Sequence, residues 1–550
     1  MAEETPFDTH AVFNQSPPYV DVNLFDGDLP LQEAMRANGA GGEAVTLSQF
    51  GARWGSAEMA GNARLANENP PKLRAFDAKG HRLDIVEFHP AYHAFMAESM
   101  AAGLHASTWN ADGSHAPAPA EVARAARYYM VAQVENGHMC PITMTRAAVA
   151  PLASASPELC SAWLPKILSR QYDPRFIPWT EKTAVTLGMG MTEKQGGTDV
   201  RANTTRAEPI ADGYVITGHK WFMSAPMCDA FLVLAQAPGG LTCFLMPRFR
   251  PDGSVNALRF QRLKDKLGNR SNASSEVEFA GAFAWRVGEE GRGVRTIIDM
   301  VQLTRLDCGI ASAGLMRMAL AQAIHHTRHR TVFQKKLADQ PMMRAVLADM
   351  ALELEGIVAL VFRLCRAFDR AADDPHEAAY ARLLTPMVKY GVCKAAPGFV
   401  YEAMECLSGN GYVEEGVLAR IYREVPVNAI WEGSGNVMCL DVLRALAREP
   451  DEARDVLAVL AKGASGVSGA SEALQEAAEI LGASDAEQQA RRAVERIALV
   501  AAAAALGESG SPVAGCFGRA RLAERPGRLY GGGRLTLAET GQLLERALPP

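Results

Sequence analysis

Between about residues 183 and 287 the chain breaks into short runs rich in β-branched and aromatic residues: Tyr214-Val-Ile-Thr, Lys220-Trp-Phe-Met, Ala230-Phe-Leu-Val-Leu-Ala, Thr242-Cys-Phe-Leu-Met and Ser275-Glu-Val-Glu-Phe. Gly, Pro and Asp punctuate them, a texture that suits strands. On both sides the apolar residues recur instead at helical spacing, over residues 91–100 and 120–133 before the sheet and over 306–330 and 342–371 after it. One strand-rich block between two helical blocks argues against alternating βα units and predicts an α+β fold.

The length of 550 residues exceeds a single core, so several domains are expected. The texture divides the chain into an extended N-terminal arm (1–40, rich in Pro, Gly and Asn), a helical domain (41–182), a β domain (183–290), a helical bundle (291–448) and an alanine-rich appended helical domain (449–550). Hydrophobic residues make up 48% and charged ones 21%, enough for large buried cores. A net charge of -6 gives no global attraction to nucleic acid or an anionic membrane, so any DNA contact must be local. The longest apolar run, residues 497–506, is too short to span a bilayer. Ten cysteines without a Cys-x-x-Cys pair fit reduced thiols and a cytoplasmic location, with no zinc ribbon.

The chemistry-bearing segments are glycine-rich. Gly188-Met-Gly-Met-Thr-Glu-Lys-Gln-Gly-Gly-Thr-Asp follows a strand-like apolar lead, and Gly196-Gly197 frees the backbone for close approach, with Thr192 and Thr198 offering hydroxyls on either side. An ordinary capped turn reads the same way in isolation. Two further segments, Glu405-Cys-Leu-Ser-Gly-Asn-Gly-Tyr and Ile430-Trp-Glu-Gly-Ser-Gly-Asn, add to it. Together the three resemble the acyl-CoA dehydrogenase flavoprotein family. The first fits its pattern from Gly190 through Asp199, and the second fits from Glu405 through Glu424 with Ser408 where a glycine is usual. The third is similar to the family's Tyr-Glu-Gly-Thr segment, with Trp431 in the tyrosine position. Stretches such as Cys140-Pro-Ile-Thr-Met-Thr and Leu263-Lys-Asp-Lys-Leu-Gly-Asn-Arg-Ser-Asn-Ala resemble the alkylation-response branch of that family.

The resemblance implies an N-terminal helical domain, a central β-barrel-like domain and a C-terminal four-helix bundle, here with an extra C-terminal helical domain. It implies FAD, because no side chain accepts the β hydride of an acyl thioester. It places Met189, Met191, Thr192, Gly197 and Thr198 along one flavin edge, with Trp221, Phe222 and Ser224 continuing the wall. Arg330 and Phe333 would reach the FAD of a neighbouring subunit, although Gln334 stands where that segment has glycine. Gly409, Trp431, Ser434 and Asn436 complete the cofactor set, and Thr198, Arg305 and Gly433 face the acyl-CoA. Glu432 falls at the base, whose pKa a dry pocket would raise toward that of the activated α proton. An earlier-helix base used by some relatives has no counterpart, because residues 302–306 carry no carboxylate.

Two other patterns are set aside. His325, His326 and His329 have metal-ligand spacing, but no glutamate lies between them and they run into Arg330, which reads as a solvated basic face rather than a metal site. Gly188-x-Gly190 lacks the third glycine and βαβ context of a dinucleotide fold. The resemblance also implies a homotetramer, electron transfer to a partner flavoprotein or oxygen, and binding of double-stranded DNA by the C-terminal domain. From Arg448 onward, 12 Lys/Arg face 14 Asp/Glu, and only Arg519, Arg521, Arg525, Arg528 and Arg534 form a basic cluster. The competing reading is an ordinary short- or branched-chain acyl-CoA dehydrogenase or oxidase without DNA binding.

Overall fold

The structure is a computed structural model describing residues 11–524, 529–531 and 535–549. The N-terminal block holds helices α1 (Leu29–Ala37), α2 (Ala44–Trp54), α3 (Ala57–Glu68), α4 (Pro90–Ala101), α5 (Ala120–Ala132), α6 (Met139–Ala147), α7 (Val149–Leu152) and α8 (Pro157–Ile167). Helix α1 corrects the expectation of an extended arm through residue 40. Asp28 caps it by accepting from the Leu31 amide, Pro30 sits in its first turn, and Leu31, Ala34 and Met35 face inward. A hairpin of β1 (Lys72–Phe76) and β2 (Arg82–Glu87) interrupts the helices. Its strands alternate exposed with more covered positions, but over only five and six residues.

The central domain is a seven-stranded sheet of β3 (Leu187–Gly190), β4 (Arg206–Ile210), β5 (Gly213–Ser224), β6 (Ala230–Ala237), β7 (Gly240–Pro247), β8 (Leu258–Leu263) and β9 (Ser274–Val287). Their order is β3-β5-β4-β6-β7-β9-β8, and extra pairings of β3 with β6 and β5 with β9 curl the sheet toward a barrel. The two sequence runs at 214–217 and 220–223 are one strand, β5, which passes through Gly218 at φ 148° with a register shift beside it. A Cβ there would lie 2.7 Å from the Thr205 backbone, so only glycine fits. Gly188 likewise serves packing, since its Cβ would meet the Phe231 ring at 2.7 Å.

The second helical block comprises α9 (Gly293–His329), α10 (Pro341–Arg370), α11 (Pro375–Cys406), α12 (Gly409–Tyr412), α13 (Val417–Asn428) and α14 (Gly435–Arg448), with a two-residue-turn hairpin of β10 (Thr331–Val332) and β11 (Lys335–Lys336) between α9 and α10. Beyond it, α15 (Pro450–Gly463), α16 (Ala470–Gly482), α17 (Ala486–Glu508), α18 (Ala514–Phe517) and α19 (Leu537–Ala547) are appended. The apolar run 497–506 is buried in α17, which packs on α10 and α11. Among the described residues no helix is long and apolar enough to cross a membrane.

Helix α9 is buried along most of its length and touches α5, α6, α10, α11 and α13. The histidines at its end do not form a solvated face. His325 Nε2 bonds the Pro17 carbonyl at 2.8 Å and His326 Nδ1 meets Ser16 Oγ at 3.3 Å, so they hold residues 11–28 against the helix. Asn14 extends this seam by pairing both ways with Thr331.

Asp28 is fully buried, bonds Tyr129 Oη at 3.0 Å and pairs with Arg317 Nε at 2.9 Å, besides capping α1. Asp28→Ala removes the cap and leaves a buried guanidinium without its carboxylate, so a stability loss of about 3–5 kcal/mol is expected in chemical denaturation. Asp28→Asn, which keeps the cap, should lose less.

Candidate active site

The Glu432 loop joins α13 to α14. Its first residues are held by Trp431, whose Nε1 donates to Asn428 Oδ1 at 3.1 Å. Glu432 then adopts φ 57° and Gly433 φ 104°. A left-handed backbone at a residue with a full side chain costs on the order of 1–3 kcal/mol and persists only where neighbours enforce it. Here two cations do so. Arg305 Nε donates to the Glu432 carbonyl at 3.1 Å, and Lys389 Nζ to the Gly433 carbonyl at 2.7 Å. Asp441 fixes Arg305 at 2.7 Å and also takes Arg382 at 2.9 Å. At 433 the positive φ is what requires glycine; the nearest atom to a Cβ there, Met438 Cε at 2.7 Å, is the movable end of a side chain.

The Glu432 side chain lines a cavity of about 60 Å³. Met139, Cys140, Met144, Met189, Cys308 and Ala311 supply most of its apolar wall, with Ser224, Thr304, Asn428 and Trp431 among the rest. Glu432 Oε2 is sealed from solvent and has no hydrogen-bond partner among the described residues. Burial pushes its carboxyl pKa up, against the opposing pull of the Thr304 hydroxyl, Arg305 and Lys389. Asp307 on the same wall behaves oppositely. It too is desolvated, but Arg124 and Arg146 hold its carboxyl below the usual range. Arg124 Nη2 meets it at 2.7 Å and Arg146 Nη1 at 3.1 Å, while Thr143 donates at 2.7 Å. Environment thus separates two carboxyls in one cavity: one whose pKa a charge cluster lowers, and one whose pKa burial raises.

Of the residues singled out from sequence, the fold brings Met189, Ser224, Trp431 and Glu432 onto one cavity wall. Met191, Thr192, Gly197, Thr198, Trp221 and Phe222 lie on the segment leading from β3 and on the facing end of β5. The Thr192 carbonyl accepts from the Trp221 amide at 2.8 Å, and Gly197 packs against Thr192 so closely that a Cβ would clash with its hydroxyl. Phe222 is half exposed, and Lys264 Nζ sits 3.4 Å from the Trp221 ring centre. The motif's Glu193 turns inward. Despite burial, Lys220 at 2.8 Å and the Thr204 and Thr205 amides hold its carboxyl down to about 2.

Other residues stand elsewhere. Arg305 lies behind the Glu432 carbonyl rather than on the cavity wall. Gly409 opens the short α12 on the surface. Ser434 precedes α14, and Asn436 accepts from Arg491 Nε at 2.8 Å. Phe333 projects into solvent, 92% exposed, at the tip of the β10–β11 hairpin. Its φ is 51° and that of Gln334 is 65°, which accounts for the glycine usual at the latter position. Arg330 Nη1 is bonded to the Asn14 carbonyl. In the basic cluster, Arg519 is ion-paired to Glu539, and Arg521 is buried against Asp349 at 2.6 Å, so neither offers an unpaired charge to a phosphate. Arg525, Arg528 and Arg534 lie outside the described residues.

Sequence reasoning missed Lys389, Asp441, Asp307 and Thr304. Lys389 left a signal, a cation directly after the apolar run Pro386-Met-Val in the middle of a long helix. Asp307 left none, because its partners are far away in the chain.

Family models match the chain in three pieces: the Adaptive response protein AidB N-terminal domain over residues 14–174, the acyl-CoA dehydrogenase middle domain over 188–282, and the acyl-CoA dehydrogenase C-terminal domain over 291–447. Helices α15 to α19 lie beyond them. The chain is 53% identical over 442 residues to the "Putative acyl-CoA dehydrogenase AidB" of Escherichia coli (strain K12), across 80% of this chain and 81% of that protein. Among solved structures, Caenorhabditis elegans ACDH-11 in complex with C11-CoA superposes with a TM-score of 0.80 at 26% identity, covering 98% of this chain and 93% of that one. The apo form of Bd2924 does so at 0.82 and 28%, covering 91% and 100%.

A raised carboxyl pKa in the folded state means that stability is fully present below the unfolded value, near 4.5, and is lost as pH rises through the folded value. Glu432→Gln cannot ionise. It should therefore melt at a higher temperature than the parent at neutral pH, with the difference closing below about pH 4. Thermal melts across pH 4–8 check this.

Proposed function

The chain belongs to the acyl-CoA dehydrogenase family and carries the N-terminal domain of its AidB branch, and on that premise we propose that it binds FAD and takes the α proton of an acyl-CoA thioester onto Glu432. The observation that carries the proposal is the Glu432 carboxyl, with its Oε2 buried and unpartnered and its backbone enforced, at a cavity that Met189, Ser224 and Trp431 share. An orphaned buried oxygen costs about 1–3 kcal/mol and is retained where chemistry uses it.

The residues present fit the flavin. Met189, Ser224 and Trp431 would hold its ring on the cavity side, and Met191, Thr192, Gly197, Thr198, Trp221 and Phe222 would carry its edge. When bound, FAD supplies the acceptor for the β hydride. Every other task falls to the chain. Glu432 Oε2 receives the α proton, and Arg305 and Lys389, by gripping the carbonyls of 432 and 433, keep the carboxyl aimed while their charges favour its ionised form. The Glu432 amide makes no hydrogen bond among the described residues, which leaves it to donate to the thioester oxygen as enolate charge builds. The apolar wall keeps water from the reacting carbons. The final electron acceptor would be an electron-transfer flavoprotein or oxygen.

A second reading adds a role in the response to DNA alkylation, with double-stranded DNA held by the appended domain of a cytoplasmic homotetramer. The likeness to the E. coli relative and the AidB N-terminal model favours it. The trans contact expected of Arg330 and Phe333 belongs here as well. A 92% exposed phenylalanine on a hairpin tip is suited to burial in a neighbouring copy.

Three outcomes are expected. Glu432→Gln retains FAD but no longer allows anaerobic bleaching by any acyl-CoA that bleaches the parent; bleaching by the mutant removes Glu432 as base. In gel shifts, DNA retarded at about 50 mM salt is released by about 200 mM if phosphate contacts dominate, and no shift at low salt ends the DNA reading. Phe333→Asp lowers the assembly state seen by sedimentation, and an unchanged assembly removes Phe333 from the subunit contact.

A further inference from the structure

A second cavity, of about 280 Å³, lies where the end of β2, α4, residues 172–186 and the loop between β5 and β6 meet. A water takes up only about 30 Å³, and packed interiors hold few voids larger than that, so this space has room for a small molecule. It reaches the surface beside Glu87 and Pro174, which are exposed, whereas Val86, Tyr92, Met96, Lys182, Ala225 and Cys228 on its wall are buried.

The wall is aromatic and rich in sulfur. Phe88, Tyr92, His93, Tyr172 and Phe176 contribute rings, and Met96, Met227 and Cys228 contribute sulfur atoms. Phe88 and Tyr92 stack with their centroids 4.2 Å apart, and His93 Nδ1 bonds Tyr172 Oη at 2.8 Å. Rings and polarisable sulfur both make favourable contacts with a further ring.

The charges on this wall are already matched. Lys182 pairs with Asp229 at 2.7 Å, Asp173 with Arg175 at 2.6 Å and Glu87 with Arg74 at 2.9 Å. Burial lowers the His93 pKa, which keeps that ring neutral near pH 7. An ionised ligand would lose its hydration here and find no free countercharge. One polar group is left over: the hydroxyl of buried Tyr92 makes no hydrogen bond among the described residues. A molecule that entered and bonded it would gain by doing so.

We infer that this cavity binds a small neutral aromatic molecule carrying one hydrogen-bonding group, of the indole or phenol class, with the Tyr92 hydroxyl as its partner. Pro141 and Ala225 on this wall directly follow Cys140 and Ser224, which line the Glu432 cavity, so the ligand sits one residue behind the chemical site. The inference goes beyond the flavin reading, and either can fail without the other.

The test is titration of the purified full-length chain with indole and with 1-methylindole, followed by ligand-observed NMR. Indole should bind with a Kd below about 1 mM. Tyr92→Phe, which keeps the ring and removes the hydroxyl, should raise the indole Kd about threefold to tenfold and leave that of 1-methylindole, which has no N–H to lose, unchanged. Met227→Trp, which fills the cavity, should abolish binding of both. Neither cyclohexanol, which lacks a ring of π electrons, nor the benzoate anion should displace indole. No indole binding at millimolar concentration overturns the inference. So does an indole Kd that Tyr92→Phe leaves unchanged, or displacement by benzoate as effective as by phenol.

Discussion

The ion cluster around Asp307 is the contact on which the arrangement of the helices depends. Two guanidinium groups, Arg124 on α5 and Arg146 on α6, converge on one carboxylate in the middle of α9, and Glu121 takes the second side of Arg146. All are buried, so desolvation is offset only when every member is in place. That condition is severe, and it is what fixes the N-terminal helices against the bundle. Because Asp307, Thr143 and Tyr128 also line the Glu432 cavity, the same cluster sets the shape of the chemical site.

A division of labour follows. The cavity holds one carboxyl whose pKa is lowered and another whose pKa is raised, although burial pushes both upward. Neighbouring cations make the difference: two guanidinium groups reach Asp307 directly, whereas near Glu432 Lys389 bonds the Gly433 carbonyl, and Arg305 bonds the Glu432 carbonyl and Asp441. The strained turn at 432 and 433 is therefore held from outside the cavity, leaving the carboxyl itself unencumbered.

The architecture was readable from the sequence because its signals are local. Strand texture and helical spacing each span a few residues, and they located the sheet and the long helices, while the family resemblance of the glycine-rich segments pointed to the loop bearing Glu432. Helix α1 was missed because Pro and Gly nearby outweighed a short amphipathic run, although Asp28 before Leu29-Pro30 was a capping signal. The β1–β2 hairpin was missed because its alternation runs over only five and six residues between helical stretches. Within the site, the residues adjacent in sequence to the glycine-rich segments were legible. The partners arriving from elsewhere, Lys389 from α11, Asp441 from α14 and Arg491 from α17, were not, since nothing in one segment reports which side chain of another will face it. Arg521 shows the converse error: a run of arginines looks like a charged surface until Asp349, on another helix, pairs with one of them.

The alanine-rich face of α17 carries a consequence of its own. Residues 497–506 present mostly methyl groups to α10 and α11, and Gly391 stands opposite Ala498. Helices that meet through such small groups lie close together and share their attraction over many shallow contacts. A junction of this kind has no single anchor to cut. Trimming one methyl would scarcely loosen it, while a bulky residue where the helices are in direct contact would wedge them apart, so drift there is constrained by size far more than by polarity.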